Sequence, residues 1–521
     1  SLASHTFITG STGSGKSNTV YQLLNELWEQ GVGFLVIEPA KGEYKHIFGS
    51  DSDVAVYGTN PAITPLLRIN PFRFPKEVHV LEHLDRLVEI FNVCWPMYAA
   101  MPAVLKNAIE KSYADCGWDL ARSQNQYGEL LYPSFSDVAR NIREIIDSSE
   151  YDTENKGAYK GSLLTRLLSL TNGLSGMIFT NDDISDADLF DRNVIVDLSR
   201  VGSTETKSLI MGMLVLKMQE YRMTNTDGPN AKLRHVTVIE EAHNLLKRTS
   251  TEQSSESANL AGKSVEMLAN AIAEMRTYGE GFVIADQAPG LLDLSVIRNT
   301  NTKIIMRLPD QGDRELVGRA ANLNDDQIAE LAKLPCGVAA VYQNEWVQPI
   351  LCKIAKYSGP QETYSYVPDE DVCRLDYDGS LAEESLLDCI MNKELFRKGD
   401  RQDIAKLKSM IIKSKLDIAV KRDFIEYISS PAEDAIESLR CLIYDFLNAE
   451  EAIKASEHCR NITDWVRTVV SGLKPPIKDY SKRQIDLALA LILYEQSLRD
   501  ASYQDVFCRF TEIYQKEGGV F

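Results

Sequence analysis

Short apolar runs alternate with stretches of helical spacing along the first two thirds of the chain. The runs Thr6 to Thr9, Gly33 to Ile37, Val194 to Leu198, Val236 to Ile239, Gly281 to Ala285, Thr302 to Arg307 and Gly337 to Tyr342 are apolar on both sides of the period-two repeat. That pattern predicts strands buried on both faces, hence an α/β fold with a parallel sheet covered by helices. Between Leu81 and Gly176 the spacing turns helical, with Asn, Gly and Asp clusters at turns, which predicts a helical insertion over about 81–176. Pro349 and the Tyr357-Ser-Gly-Pro360 turn are expected to end the sheet, closing a first domain over 1–360, with an extended linker over 361–380. From Leu381 onward the period is helical, with Ile404, Leu407, Ile411 and Ile412 on one stripe and Ile485, Leu489, Ile492 and Leu493 on another. A C-terminal helical domain over 381–521 is predicted, divided in two by Pro475-Pro476.

Composition narrows the class without changing this picture. The 521 residues are 44% hydrophobic and 25% charged, values of an ordinary globular protein. No apolar run approaches the roughly 20 residues of a membrane span. Nine cysteines are scattered without a Cys-x-x-Cys pair, which predicts reduced thiols and a cytoplasmic setting in preference to disulfides or zinc. A net charge of −19 argues against a surface that coats nucleic acid, although a ring with a basic channel alone is compatible with it. The first residue is Ser and the first strand begins almost at once, so no signal peptide is read and a further N-terminal segment is expected upstream.

The chemistry is concentrated at strand ends. Gly10, Ser11, Thr12, Gly13, Ser14, Gly15, Lys16 and Ser17 lie between the Phe7-Ile8-Thr9 run and a helix-patterned stretch from Val20. This is the strand, phosphate loop and helix of a P-loop NTPase. Glycines let successive backbone N–H groups surround phosphates, and the helix N-terminus behind them adds partial positive charge. Lys16 is expected on the β- and γ-phosphates of ATP, Ser17 on Mg²⁺, and Asn18 with the loop residues in binding the nucleotide. His235-Val-Thr-Val-Ile-Glu240-Glu241 then puts two carboxylates at the carboxyl end of a buried strand, a Walker B pattern. Glu240 is assigned to the metal shell and Glu241 to the attacking water. The run Gly281-Phe-Val-Ile-Ala-Asp-Gln287 ends in an amide, so Gln287 is the candidate sensor of the γ-phosphate. Asp197, ending Val194-Ile-Val-Asp197, reads as a cap or turn former.

Several motifs in one order reach a family. The phosphate loop, Val36-Ile-Glu-Pro-Ala-Lys-Gly-Glu43-Tyr44, Asn70-Pro-Phe72, Asp197-Leu-Ser199, Glu240-Glu-Ala-His243 and Met275-Arg276-Thr-Tyr-Gly279 together resemble the HerA-type ATPases of the HerA/FtsK group over about Ser4 to Ile354. The resemblance implies a RecA-like core, a homo-hexameric ring with ATP sites between subunits, and duplex DNA in the channel. It also implies that Arg276, in the family's Arg-x-x-Gly element, acts on a neighbour's nucleotide, with Arg307 and Arg298 as alternatives. The polar stretch Lys247 to Lys263 is expected to face the channel. Two departures stand out: the chain starts too late to show the small β-barrel of many family members, and the helical part after about Glu362 is longer than their usual lid.

Two functions are therefore expected from different classes. One is a Mg²⁺-dependent ATPase that moves along duplex DNA and works with a nuclease or other effector. The other is an ATPase scaffold that assembles and regulates an anti-phage effector, a nuclease or a sirtuin-type NADase, since helix bundles offer grooves for protein partners. Leu174-Ser-Gly176 is a decoy for a transporter signature: Met177 stands where its second glycine belongs, and Leu198 where a catalytic Glu should follow Asp197. A small-molecule kinase would need an acceptor pocket that no motif supplies.

Overall fold

In a computed structural model of the chain, the apolar runs form one sheet. Residues 4–128, 131–226, 228, 230–249, 260–359, 363–368, 380–392, 401–431, 435–459 and 461–516 are described. Two units divide them: Ser1–Glu110, Val138–Phe179 and Asp183–Cys373 make the first, and Lys111–Asp137, Thr180–Asp182 and Arg374–Phe521 the second.

The strands are β1 (Thr6–Thr9), β2 (Gly33–Glu38), β3 (Val54–Gly58), β4 (Trp118–Asp119), β5 (Gln124–Asn125), β6 (Asn193–Asp197), β7 (His235–Glu240), β8 (Glu280–Asp286), β9 (Thr302–Ile305), β10 (Val338–Gln343) and β11 (Ile350–Lys353). Nine of them make a sheet in the order β11-β10-β9-β1-β8-β7-β2-β6-β3, while β4 and β5 pair in the second unit. From β9 to β3 all neighbours are parallel, and β10 and β11 add antiparallel. Every residue of β1, β7 and β8 is buried, including the polar His235 and Thr237 of β7, which bond to Glu280 of β8. The parallel register pairs Thr9 with Asp286 and Glu240 with Ala285, so the carboxyl ends of β1, β7 and β8 finish on one line.

The sheet does not end at Pro349. This proline stands immediately before the edge strand β11, where its missing N–H costs no ladder bond, and Ile350 and Leu351 are exposed. β3 and β11 lie at the two edges, outside the buried centre.

Helix Lys16–Glu29 buries Val20, Leu24 and Leu27 against Phe34 and Val36 of β2. Each such side chain contributes roughly 1.5–3 kcal/mol of burial. The helix stops where Gly31 takes φ 75° and the N–H groups of Gln30 and Gly31 return to Leu27 and Trp28. Between β3 and β6 lie helices that include Val80–Cys94, Met101–Asp115 and Phe135–Ser148. The segment Lys111–Asp137 from this stretch clusters with the second unit.

The second unit is built on helices from Ser380–Met391 to Gln504–Lys516. Its core joins Leu386, Ile411, Phe424, Leu442, Leu489 and Ile492, so both predicted stripes point inward at Ile411 and at Leu489 and Ile492. A buried ion pair, Arg440 to Glu495 at 2.5 Å, lies in the same unit. Of the stretch read as a linker, residues 361–362 and 369–379 lie outside the described residues, and 363–368 carry no regular secondary structure. No helix among the described residues is long and apolar enough to cross a membrane.

Candidate active site

The loop after β1 is shaped by its glycines. Gly13 and Gly15 hold φ of 77° and 106°, left-handed values that side chains resist. A Cβ on Gly10 would meet Ser14 Oγ at 2.5 Å and the Met306 side chain at 2.8 Å. Backbone bonds fix the loop from outside: Ser11 N–H donates to Arg307 O at 2.9 Å, and Gly337 N–H donates to Ser14 O at 2.9 Å. Helix Lys16–Glu29 starts directly behind, with no side-chain cap and no acidic residue in its first turn. Its N-terminal N–H groups are thus turned to the loop, an anion cradle in geometry.

Two carboxylates face that cradle. Glu240 ends β7, and Glu241 follows in the left-handed region at φ 44°, ψ 51°, a conformation that costs about 1–3 kcal/mol. The turn brings Glu241 Oε1 to 3.3 Å from Lys16 Nζ, while Glu240 Oε2 stands at 3.7 Å. All three side chains are buried. Glu240 Oε1 also accepts from the Tyr44 hydroxyl at 2.5 Å. Glu241 Oε2 is buried without a hydrogen-bond partner.

The next strand end adds a third carboxylate. Asp286 Oδ2 accepts from the His243 backbone N–H at 2.8 Å and from His243 Nδ1 at 2.9 Å, and Oδ1 accepts from Ala288 N–H at 2.8 Å. The Asp286 bond raises the His243 pKa, against its partial burial and with help from Glu241. Exposed Gln287 reaches the loop itself, its Oε1 accepting from Thr12 Oγ1 at 3.3 Å.

Around β2, Glu38 accepts from the N–H groups of Glu43 at 2.7 Å and Tyr44 at 3.2 Å, holding the start of the short helix Tyr44–Phe48. Burial pushes its carboxyl up to about 8. Asp197 pairs with Lys45 and accepts from Ser199 N–H at 2.9 Å, the geometry of a turn former.

The fold thus brings together Lys16, Glu240, Glu241, Gln287 and the loop from Gly10 to Ser17. Asn18 uses its side chain elsewhere: Nδ2 donates to Ala355 O at 2.9 Å, and Oδ1 accepts from Tyr357 N–H at 2.8 Å. Arg276 is exposed in the turn Met275–Tyr278 before β8, at the amino end of the strand and about 20 Å from its carboxyl end at ~3.3 Å per residue. Exposed Arg298, on helix Leu294–Asn299, is also on the amino side, before β9, whereas Arg307 adjoins the chain's own loop through its carbonyl. Lys247 and Arg248 are exposed and held by backbone pairing to Leu292 and Leu291, and residues 250–259 of the stretch expected to face the channel lie outside the described residues.

The chain's own residues fit a hard divalent cation beside a triphosphate. Ser17 and Glu240 offer oxygen, and the cation at Lys16 already lies between two carboxylates.

Comparison with known proteins accords with this geometry. Residues 1–218 match the family model described as the central domain of helicase HerA. The DNA double-strand break repair helicase HerA of Sulfurisphaera tokodaii is 24% identical over 365 residues, 69% of this chain and 66% of that protein. Its counterpart from Sulfolobus acidocaldarius is 25% identical over 364 residues, again 69% and 66%. Over these residues the chain is similar to HerA-type ATPases.

The α/β core also has a solved likeness in VirB4 of Thermoanaerobacter pseudethanolicus, with TM-score 0.52 and 18% identity over 68% of this chain and 89% of that one, which shows the RecA-like fold. The chain spans just under two thirds of the length of the HerA proteins it matches. Within this site, sequence reasoning assigned no role to Asp286, His243 or Tyr44. Asp286 carried the same strand-end signal as Asp197, and it adjoins Gln287 in the run already singled out.

Proposed function

We propose that the chain hydrolyses ATP with Mg²⁺ as one subunit of a hexameric ring that moves duplex DNA through its channel, working with a nuclease or other effector subunit. The observation that carries the catalytic part is Lys16 lying between Glu240 and Glu241, under a glycine loop whose helix N-terminus no side chain caps. In this reading the loop amides and Lys16 bind the phosphates, and Lys16 leaves the carboxylates to do so. Mg²⁺ held by Ser17 and Glu240 would offset charge on the β- and γ-phosphate oxygens. Glu241 orients and deprotonates the attacking water through the oxygen that has no partner, and Gln287 touches the loop where the γ-phosphate would end. Arg276 lies at the amino end of β8, away from the chain's own cradle, and in a ring it would serve a neighbouring subunit's site. The names of the HerA relatives support DNA as the cargo.

A second reading, a ring that assembles and regulates an effector without processive movement, is favoured by the second unit. Its helices lie mostly beyond residue 374, and Ile436 and Leu498 are exposed there at 63% and 57%. ATP turnover with and without duplex DNA tests both. DNA stimulation that disappears in Lys16→Ala and Glu241→Ala is the expected result, turnover indifferent to DNA favours the second reading, and a fully active Glu241→Ala protein removes the assigned base.

A further inference from the structure

Glu241 is held on one side only. Lys16 is 3.3 Å from Oε1, but the proposed binding mode takes Lys16 away to the phosphates, and Oε2 has no hydrogen-bond partner. A carboxylate left in this state can swing, and water activation depends on its direction. Among the described residues, the one other cationic group within ion-pair distance of Glu241 is His243, whose Nδ1 lies 3.6 Å from Oε2.

His243 is itself fixed by the neighbouring strand. Asp286 is fully buried and receives both the backbone N–H and Nδ1 of His243. These two bonds define the ring's position and place the proton on Nδ1, the nitrogen that faces both carboxylates. Closing the 3.6 Å separation by about 0.6 Å would let Oε2 share the Nδ1 proton with Asp286 Oδ2 in a three-centre hydrogen bond. The turn Ala242–Asn244 is tied down as well, with Asn244 N–H and Nδ2 donating to Glu241 O at 3.0 and 2.8 Å.

We propose that His243, locked by Asp286, is a positioning residue that takes over the Glu241 carboxylate when Lys16 transfers to the nucleotide. The inference rests on the ATPase reading above and deepens it: Asp286 connects the water-directing glutamate to Gln287, its neighbour in sequence, so both are set by the end of β8.

The test is steady-state ATP turnover by the full chain, paired with retention of a fluorescent ATP analogue and Mg²⁺. His243→Ala should lower kcat by about 10²-fold with KM within about three-fold, because direction is lost while the cradle stays intact. His243→Asn, whose Nδ2 donor falls near the position of Nδ1, should recover about ten-fold of that loss. Asp286→Asn should lower kcat without loss of analogue retention, since the ring loses its lock. A His243→Ala protein with kcat within about three-fold of wild type overturns the inference and leaves the ATPase reading standing. Equal losses in His243→Ala and His243→Asn, accompanied by lost retention, also overturn it, because that is the signature of a structural residue. A wild-type protein without turnover overturns the ATPase reading and this inference with it.

Discussion

Replacing Glu241 by Gln should make the protein hold MgATP more tightly while nearly abolishing turnover. Lys16 is shared between Glu241 at 3.3 Å and Glu240 at 3.7 Å. At an effective dielectric of about 20 these separations correspond to gross attractions of about 5 and 4.5 kcal/mol. Desolvation of the buried partners offsets most of that, so release from one carboxylate nets about 1–2 kcal/mol. Nucleotide binding must break this hold, and Glu241→Gln removes the nearer half of it in advance. The affinity for MgATP should therefore rise about five- to thirty-fold at about 1.4 kcal/mol per decade. Turnover should fall by about 10³-fold or more, since the amide cannot accept the proton of water. Titration of a fluorescent ATP analogue gives the first quantity, and phosphate release at saturating ATP gives the second. Unchanged or weaker binding in Glu241→Gln would refute the claim that Lys16 and Glu241 oppose the nucleotide.

Three further outcomes follow from the same structure. Subunits carrying Lys16→Ala and subunits carrying Arg276→Ala, each inactive alone, should regain roughly a quarter of wild-type ATP turnover when mixed equally, since a quarter of random junctions pair an intact cradle with an intact arginine; a mixture no more active than its parts would remove Arg276 from the site. Gln287→Ala should lower kcat by about 10²-fold and leave analogue retention within about three-fold, and an unchanged kcat would return Gln287 to a turn-capping role. Burial would push Glu280 up, but His235 and Arg222 hold it at about 2 against the usual 4.5, so its contribution of about 3 kcal/mol is present above pH 4.5 and lost as pH falls towards 2. Urea unfolding of Glu280→Gln should accordingly show a large loss at pH 7 and a flatter profile below pH 4.5, and parallel profiles would contradict this.

What the amino-acid pattern disclosed depended on burial. β1 is read to its residue limits, and β7 and β8 within a residue at either end, because both faces of each are covered and the apolar run is continuous. β3 and β11 escaped because they lie at the sheet's edges, where half-exposed positions break the run, and a proline before β11 mimics a stop. Lys16, Glu240 and Glu241 were legible because a glycine loop and a strand-end carboxylate pair each carry a local signature. The His243 and Asp286 contact joins residues 43 positions apart on neighbouring strands, and no local spacing encodes such a pairing. Asn18 was legible as part of the loop's helix, but its engagement with Ala355 and Tyr357 depends on chain returning from 337 residues away.

That return has a mechanical meaning. The amide of Asn18 fastens the segment after the last strand to the first turn of the helix that carries Lys16 and Ser17, and it does so with a donor and an acceptor at once. Tyr357 precedes the second unit in sequence, so a pull on the downstream chain would be delivered one residue from Ser17, the proposed Mg²⁺ ligand. Asn18 is thereby the point where load on the downstream chain would enter the phosphate grip, and its removal would let that load dissipate before reaching it.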